Sequence, residues 1–270
     1  MDSHQLYIIY YLGLFTIIFF LSKFILRRYQ VFIQKYKLYI KTDSNLVFQK
    51  TPYISAGIVY AVVLLITTIC TENLDFIDFK NISPVIGTSI LIALFGFYKD
   101  YSIVSNFQKY TLLTFLISIL VYSSVIDNSD FPGIIENLYG FLGIYEISIL
   151  NSFILTFLFY LIVINSINRL ATLPNYIPIF SIVFFISMLY INYLNEFYTL
   201  NTISIIFIML SLLFLLNNIV YKNNILIGHS GSLFLGFWIA YFLIQYIQTA
   251  QNANLTIIYS IKLENIIPIA

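Results

Sequence analysis

The sequence predicts an all-α, polytopic membrane bundle of about eight or nine transmembrane helices, with its N-terminus outside. Three observations predict it. Of 270 residues, 60% are hydrophobic and 9% charged, at a mean hydropathy of +0.90, which leaves too few polar groups to cover a water-soluble globule. Apolar runs close to the roughly 20 residues needed to cross a bilayer core recur along the chain. Basic residues gather in alternate connections between those runs, as the positive-inside rule requires. The composition excludes a water-soluble enzyme. A net charge of +1 and a pI near 7.7 exclude a nucleic-acid partner, which would need a basic face to neutralise phosphates. Cys70 is the single cysteine, and His4 and His229 lie far apart, so neither an intrachain disulfide nor a zinc site is expected.

The first apolar run, at about 6–26, has no basic residue before it, whereas Lys23, Arg27, Arg28, Lys35, Lys37, Lys41 and Lys50 follow closely. It reads as an uncleaved first helix that starts outside, because a signal peptide carries its positive charge ahead of the apolar stretch. Further spans are expected at about 53–70, 82–98, 111–126, 147–164, 176–194, 199–216 and 232–248. A weaker stretch at about 254–269 carries Lys262 and Glu264 and reads as a ninth helix or an interfacial tail. Residues 131–146 are broken by Pro132, Gly133, Gly140 and Gly143 and hold Glu136, which suits a surface or re-entrant piece. This threading places eleven of the thirteen basic residues inside, leaving Lys80 and Lys262 outside. Only Asp43 and Asp100 of the twelve carboxylates fall inside. The whole of 1–270 reads as one integral membrane domain in the plasma (inner) membrane, with the lipid bilayer as its solvent and its functional loops cytoplasmic.

Four inside loops carry the polar chemistry. The first ends in Thr51-Pro52-Tyr53-Ile54-Ser55-Ala56-Gly57-Ile58, where a proline and small residues precede the second span. Such residues serve helix starts and close packing, and basic neighbours there can also collect an anionic group. The second reads Gly96-Phe97-Tyr98-Lys99-Asp100 and continues to Lys109, one carboxylate between two cations. The third holds Asn165 and Asn168, three apart and therefore on one helical face, followed by Arg169. Carboxamides there cap a helix or read a base or sugar edge, since each offers a donor and an acceptor. The fourth, Gly228-His229-Ser230-Gly231-Ser232, runs straight into Leu233-Phe234-Leu235-Gly236-Phe237. It is either a flexible serine-capped turn or a helix start whose N–H groups cradle an anion.

Taken in order, these loops resemble the membrane-bound polyprenyl-phosphate N-acetylhexosamine-1-phosphate transferases, glycosyltransferase family 4, whose members start peptidoglycan lipid I, teichoic-acid and O-antigen synthesis. The resemblance rests on 51–58, on Gly96 to Asp100 with Lys109, on Asn165-x-x-Asn168, and most specifically on 228–237. It implies transfer of sugar 1-phosphate from a UDP-sugar to polyprenyl phosphate with release of UMP, and Mg²⁺ as cofactor, because two phosphate partners must be neutralised by a hard cation. It implies a cation-holding or nucleophile-positioning role for Asp100, which is also the one metal ligand it suggests. His229 would act on a phosphate as a base or hydrogen-bond partner. Asn165 and Asn168 would recognise substrate, Lys50, Lys109 and Arg169 would supply phosphate charge, and Gly228, Ser230, Gly231 and Ser232 would form the anion cradle. The expected partners are the UDP-sugar and polyprenyl phosphate, with room for a homodimer.

The sequence departs from the family at its carboxylates. Lys99-Asp100 stands where the family has paired aspartates, and Asn168 is followed by Arg169-Leu170-Ala171-Thr172-Leu173-Pro174 in place of an aspartate-glycine run. His229 stands at an aspartate position, and imidazole is a poor ligand for Mg²⁺. The pattern also stops before the family's last helices, which implies a shortened member. These departures leave a divergent enzyme and a pseudoenzyme that binds polyprenyl phosphate or nucleotide sugar as two readings. A small-solute transporter is the rival from another class, but the expected spans lack mid-membrane charges and no two halves of the chain match.

Overall fold

The computed structural model describes residues 3–36, 56–72, 79–102, 104–126, 149–171, 175–195, 197–220 and 227–264, and among these every element is helical. In chain order they are α1 (Ser3–Tyr36), α2 (Ala56–Glu72), α3 (Phe79–Tyr101), α4 (Asn106–Ile126), α5 (Ile149–Leu170), α6 (Tyr176–Leu194), α7 (Tyr198–Val220) and α8 (Gly228–Glu264). Among the described residues, five stretches are long and apolar enough to cross a membrane: Ile82–Tyr101, Phe153–Leu170, Tyr176–Leu194, Tyr198–Ile219 and Gly228–Ile247. Shorter apolar stretches occupy α2 and α4. The molecule is a polytopic helical membrane protein. Its helices run longer than the apolar runs that announce them, because helix propensity does not end where hydropathy falls. The 34 residues of α1 span about 51 Å at 1.5 Å per residue, well beyond a bilayer core of roughly 30 Å.

Packing explains which run goes to the middle. The helices α1 to α7 close into a ring in which each touches the next and α7 returns to α1, while α8 packs inside against α2, α3, α5 and α6. A helix at such a position needs apolar side chains on every face. From Leu233 to Phe242 α8 supplies them without a polar interruption. Leu233, Phe234, Leu235, Phe237, Trp238 and Phe242 are all buried. The Trp238 ring lies 5.3 Å from Phe207 of α7 and meets Phe237 and Tyr241 edge-on, and Tyr160 of α5 stacks on Phe237 at 5.4 Å. Lipid tails are as apolar as these rings, so what holds the core is close dispersion contact and aromatic geometry. Several polar side chains within the spans find partners inside the bundle: Thr67, Thr68 and Thr71 donate to carbonyls one turn back, and the Tyr60 hydroxyl pairs with Ser211 across α2 and α7 at 3.0 Å.

This architecture places the loops and the C-terminal stretch read from the sequence. Most of the second loop is helical: Gly96 to Asp100 belong to the end of α3, Lys109 to the first turns of α4, and a short connection starting at Ser102 lies between them. Asn165, Asn168 and Arg169 stand in the last turns of α5, and the 228–232 stretch is the first turn of α8. The stretch proposed as a ninth helix is, as far as Glu264, a continuation of α8, since no proline or glycine interrupts 237–264. Lys50, the 51–55 stretch and the 131–146 segment lie outside the described residues.

Candidate functional site at one end of the bundle

The ends of α3 and α5 and the starts of α2, α4 and α8 meet at one end of the bundle, and hydrogen bonds tie them together. The first residues of α8 expose backbone N–H groups that have no carbonyl a turn earlier to receive them. Asp100 fills that need: its Oδ1 accepts from the His229 N–H at 2.8 Å and its Oδ2 from the Ser230 N–H at 3.2 Å. The carboxylate is 2% exposed, so the negative charge is held by the amides and the positive end of the α8 dipole rather than by water. Gly228 makes room for it. Its φ of +71° is in the left-handed region, and a Cβ there would stand 2.8 Å from Asp100 Oδ2.

The same relation recurs one helix further on. The N–H of Ala56, first residue of α2, donates to the Ile227 carbonyl at 3.0 Å, and the Gly57 N–H donates to Ser230 Oγ at 3.0 Å. Thus α3 caps α8, and the start of α8 caps α2. Glycines permit this approach: a Cβ on Gly57 would collide with the Ser230 carbonyl, and one on Gly96 with the Ser230 Cα. Neither glycine stands among the candidate site residues read from sequence. Their signal was present, since both lie inside the quoted motifs, but only the three-dimensional approach shows what they are for.

On the other side of α8, Asn168 Oδ1 lies 2.9 Å from His229 Nδ1 and accepts from Ser232 Oγ, also at 2.9 Å. With a carbonyl-type oxygen opposite, Nδ1 carries the proton, and Nε2 is the atom left to meet a ligand. Asn165 Oδ1 accepts from Lys109 Nζ at 2.9 Å, so the two amides on one face of α5 serve α4 and α8 respectively. Lys109 is 5% exposed. It stands ahead of the apolar run of α4, and its burial, together with the positive charges of Lys99 and Arg169, pulls its ammonium down to about 8. Lys99 and Lys109 also act electrostatically on His229. Lys99 and Arg169 thus lie within electrostatic reach of Lys109, beside a carboxylate that is already engaged.

Of the residues singled out from sequence, Asp100, Asn168, His229, Ser230 and Ser232 form one hydrogen-bonded network with Gly228 at its edge. Lys109, Asn165 and Arg169 form a second group beside it. Gly231 faces elsewhere, against Ile227 and Ala56, and serves the α2–α8 contact. The anion seated in the His229 and Ser230 N–H groups at the α8 start is the protein's own Asp100.

A bundle of membrane-crossing helices that gathers polar and cationic groups at one end, between the termini of five helices, is a polytopic membrane protein. The chain belongs to glycosyl transferase family 4, whose model matches residues 82–247 and so takes in α3 to α7 and the apolar part of α8. It is a membrane glycosyltransferase-family protein with a phosphosugar-transferase scaffold. No curated protein matches it.

The family is generally metal-dependent. Among the described residues the donor set does not make up a magnesium site. Among the described residues no three His, Cys, Asp or Glu side chains converge, and both oxygens of Asp100 already accept N–H bonds. Amides, hydroxyls, an imidazole and three cations suit an anion instead.

Proposed function

We propose that this scaffold recognises the phosphate groups of a UDP-sugar and of polyprenyl phosphate at the cytoplasmic face of the plasma membrane. In the family's reaction an oxygen of the lipid phosphate attacks the sugar-bearing phosphorus, the pyrophosphate bond breaks, UMP leaves and a lipid-linked pyrophosphoryl sugar forms. The observation that carries the reading is the convergence of Lys99, Lys109 and Arg169 beside Asn165, Asn168 and His229. Lys109 and Arg169 offset phosphate charge, Asn165 fixes the Lys109 ammonium, and His229 Nε2 meets a phosphate oxygen. The positive-inside distribution of Lys and Arg supports the orientation. The engaged state of Asp100 favours a second reading, a pseudoenzyme that binds these substrates without turning them over.

Purified protein given UDP-GlcNAc, polyprenyl phosphate and Mg²⁺ separates the two. UMP release identifies the enzyme; saturable UDP-GlcNAc binding without UMP release identifies the binding protein; absence of both overturns the proposal. A second expected outcome concerns pH. The Lys109 ammonium is charged below about 8 and loses its proton above it, so UDP binding weakens between about pH 7 and 9. Lys109→Met is expected to bind more weakly at pH 7 and to remove that dependence. A wild-type affinity unchanged from pH 6.5 to 9.5 would exclude Lys109 from the phosphate contact.

A further inference from the structure

Away from the polar cluster, α1 and α2 leave a cleft of about 370 Å³ between them on the outside of the ring. Ile25, Tyr29 and Phe32 of α1 and Ile58, Val59 and Val62 of α2 line it, and Arg28 is the one cation of its lining. The lining is apolar, and several of its side chains remain open to the surroundings: Phe32 is 45% and Val62 37% exposed. In a membrane protein such surface faces lipid. The Arg28 guanidinium lies over the Phe24 ring, 5.3 Å from its centroid, and among the described residues no carboxylate pairs with it. A cation lining an apolar cleft on a lipid-facing flank has one natural complement in the bilayer, an anionic headgroup above an acyl chain.

We infer that the α1–α2 cleft is a binding site for a single anionic glycerophospholipid, with its phosphodiester on Arg28 and an acyl chain between Phe32 and Val62. Charge selects this occupant. One guanidinium matches the single negative charge of a phosphodiester and presents it with a planar, two-pronged donor. A terminal phosphate monoester carries up to two charges and asks for more cations than the cleft offers. The site is separate from the polar cluster yet shares its α2 wall, because Ala56 and Gly57 seat the start of α8 while the next residues, Ile58 and Val59, line the cleft. Bound lipid would therefore brace the first turn of α2 from the side opposite Ser230.

The test is native mass spectrometry of the full chain in mild detergent with phosphatidylglycerol or phosphatidylcholine added at equal concentration. The wild type is expected to retain one phosphatidylglycerol about tenfold better than phosphatidylcholine. Arg28→Gln is expected to bind the two lipids equally, Arg28→Lys to fall between, and Val62→Trp, which fills the cleft, to retain neither. Equal retention of both lipids by the wild type, or unchanged selectivity in Arg28→Gln, overturns the inference. So does displacement of phosphatidylglycerol by an equimolar polyprenyl phosphate, which would assign the cleft to the isoprenoid acceptor. If Arg28→Gln fails to fold, Arg28→Lys keeps the charge and bulk and decides the question by its intermediate selectivity. UDP binding measured on the same proteins reports on the polar cluster alone, so failure there and failure here are distinguishable.

Discussion

Gly96→Ala is expected to lower the stability of the bundle, although alanine is the better helix former. Placing alanine for glycine within a helix ordinarily gains about 0.5–1 kcal/mol. At Gly96 the new methyl group would run into the Ser230 backbone, and backbone atoms cannot move aside as a flexible side chain can. Overpacking of this kind costs about 1–3 kcal/mol and sometimes more, so the net change is a loss, and Gly96→Val should leave little folded protein. Gly87 of the same helix provides the control, since a Cβ there meets nothing within 4 Å and Gly87→Ala should be neutral or stabilising. Thermal unfolding in detergent, followed by loss of the monodisperse peak, measures both. Equal midpoints for the two variants would mean that α3 and the start of α8 do not approach as closely as described.

The second large effect is expected at Asp100. Alanine there strips two charge-assisted hydrogen bonds from the buried His229 and Ser230 N–H groups, each bond to a charged group being worth about 1.5–3 kcal/mol. Asp100→Ala should thus destabilise by about 3 kcal/mol or more, and Asp100→Asn by roughly half as much, since an amide oxygen still accepts one N–H while its NH₂ faces the other. The deficit should be the same in Mg²⁺ and in chelator. A carboxylate whose chief duty was to hold a cation would behave otherwise: Mg²⁺ would stabilise the wild type and Asp100→Asn would abolish the gain.

Much of this architecture was readable from composition and periodicity. Apolar runs near bilayer length announced α2 to α8 to within a few residues at most ends, because lipid tolerates few alternatives to helix. The central position of α8 was legible in principle too, since 233–242 is apolar on every face, but the α7 run is nearly as apolar and hydropathy alone does not rank them. Hydropathy marks the apolar part of a helix and not its end where polar residues continue it past the hydrocarbon, as at Asn165 to Arg169 and 228–232. The meeting of Asp100, Asn168 and His229 was suggested by charge sorting and motif order. What each side chain does there was not, because a carboxylate that caps a helix and one that holds a metal look alike in one dimension. The distinction lies in whether two N–H groups stand 2.8 and 3.2 Å from its oxygens.

The placement of α8 inside a ring built by the seven described helices that precede it bears on how the protein is made. Synthesis proceeds from the N-terminus at about 5–20 residues per second, so the surrounding wall leaves the ribosome before the pillar it encloses. Until Trp238 and its neighbours arrive, the inward sides of α2, α3, α5 and α6 have only lipid or one another to lean on. Assembly of this chain is therefore a closing step around a late arrival, and the glycine-cleared seat at Gly57 and Gly96 is where that arrival docks.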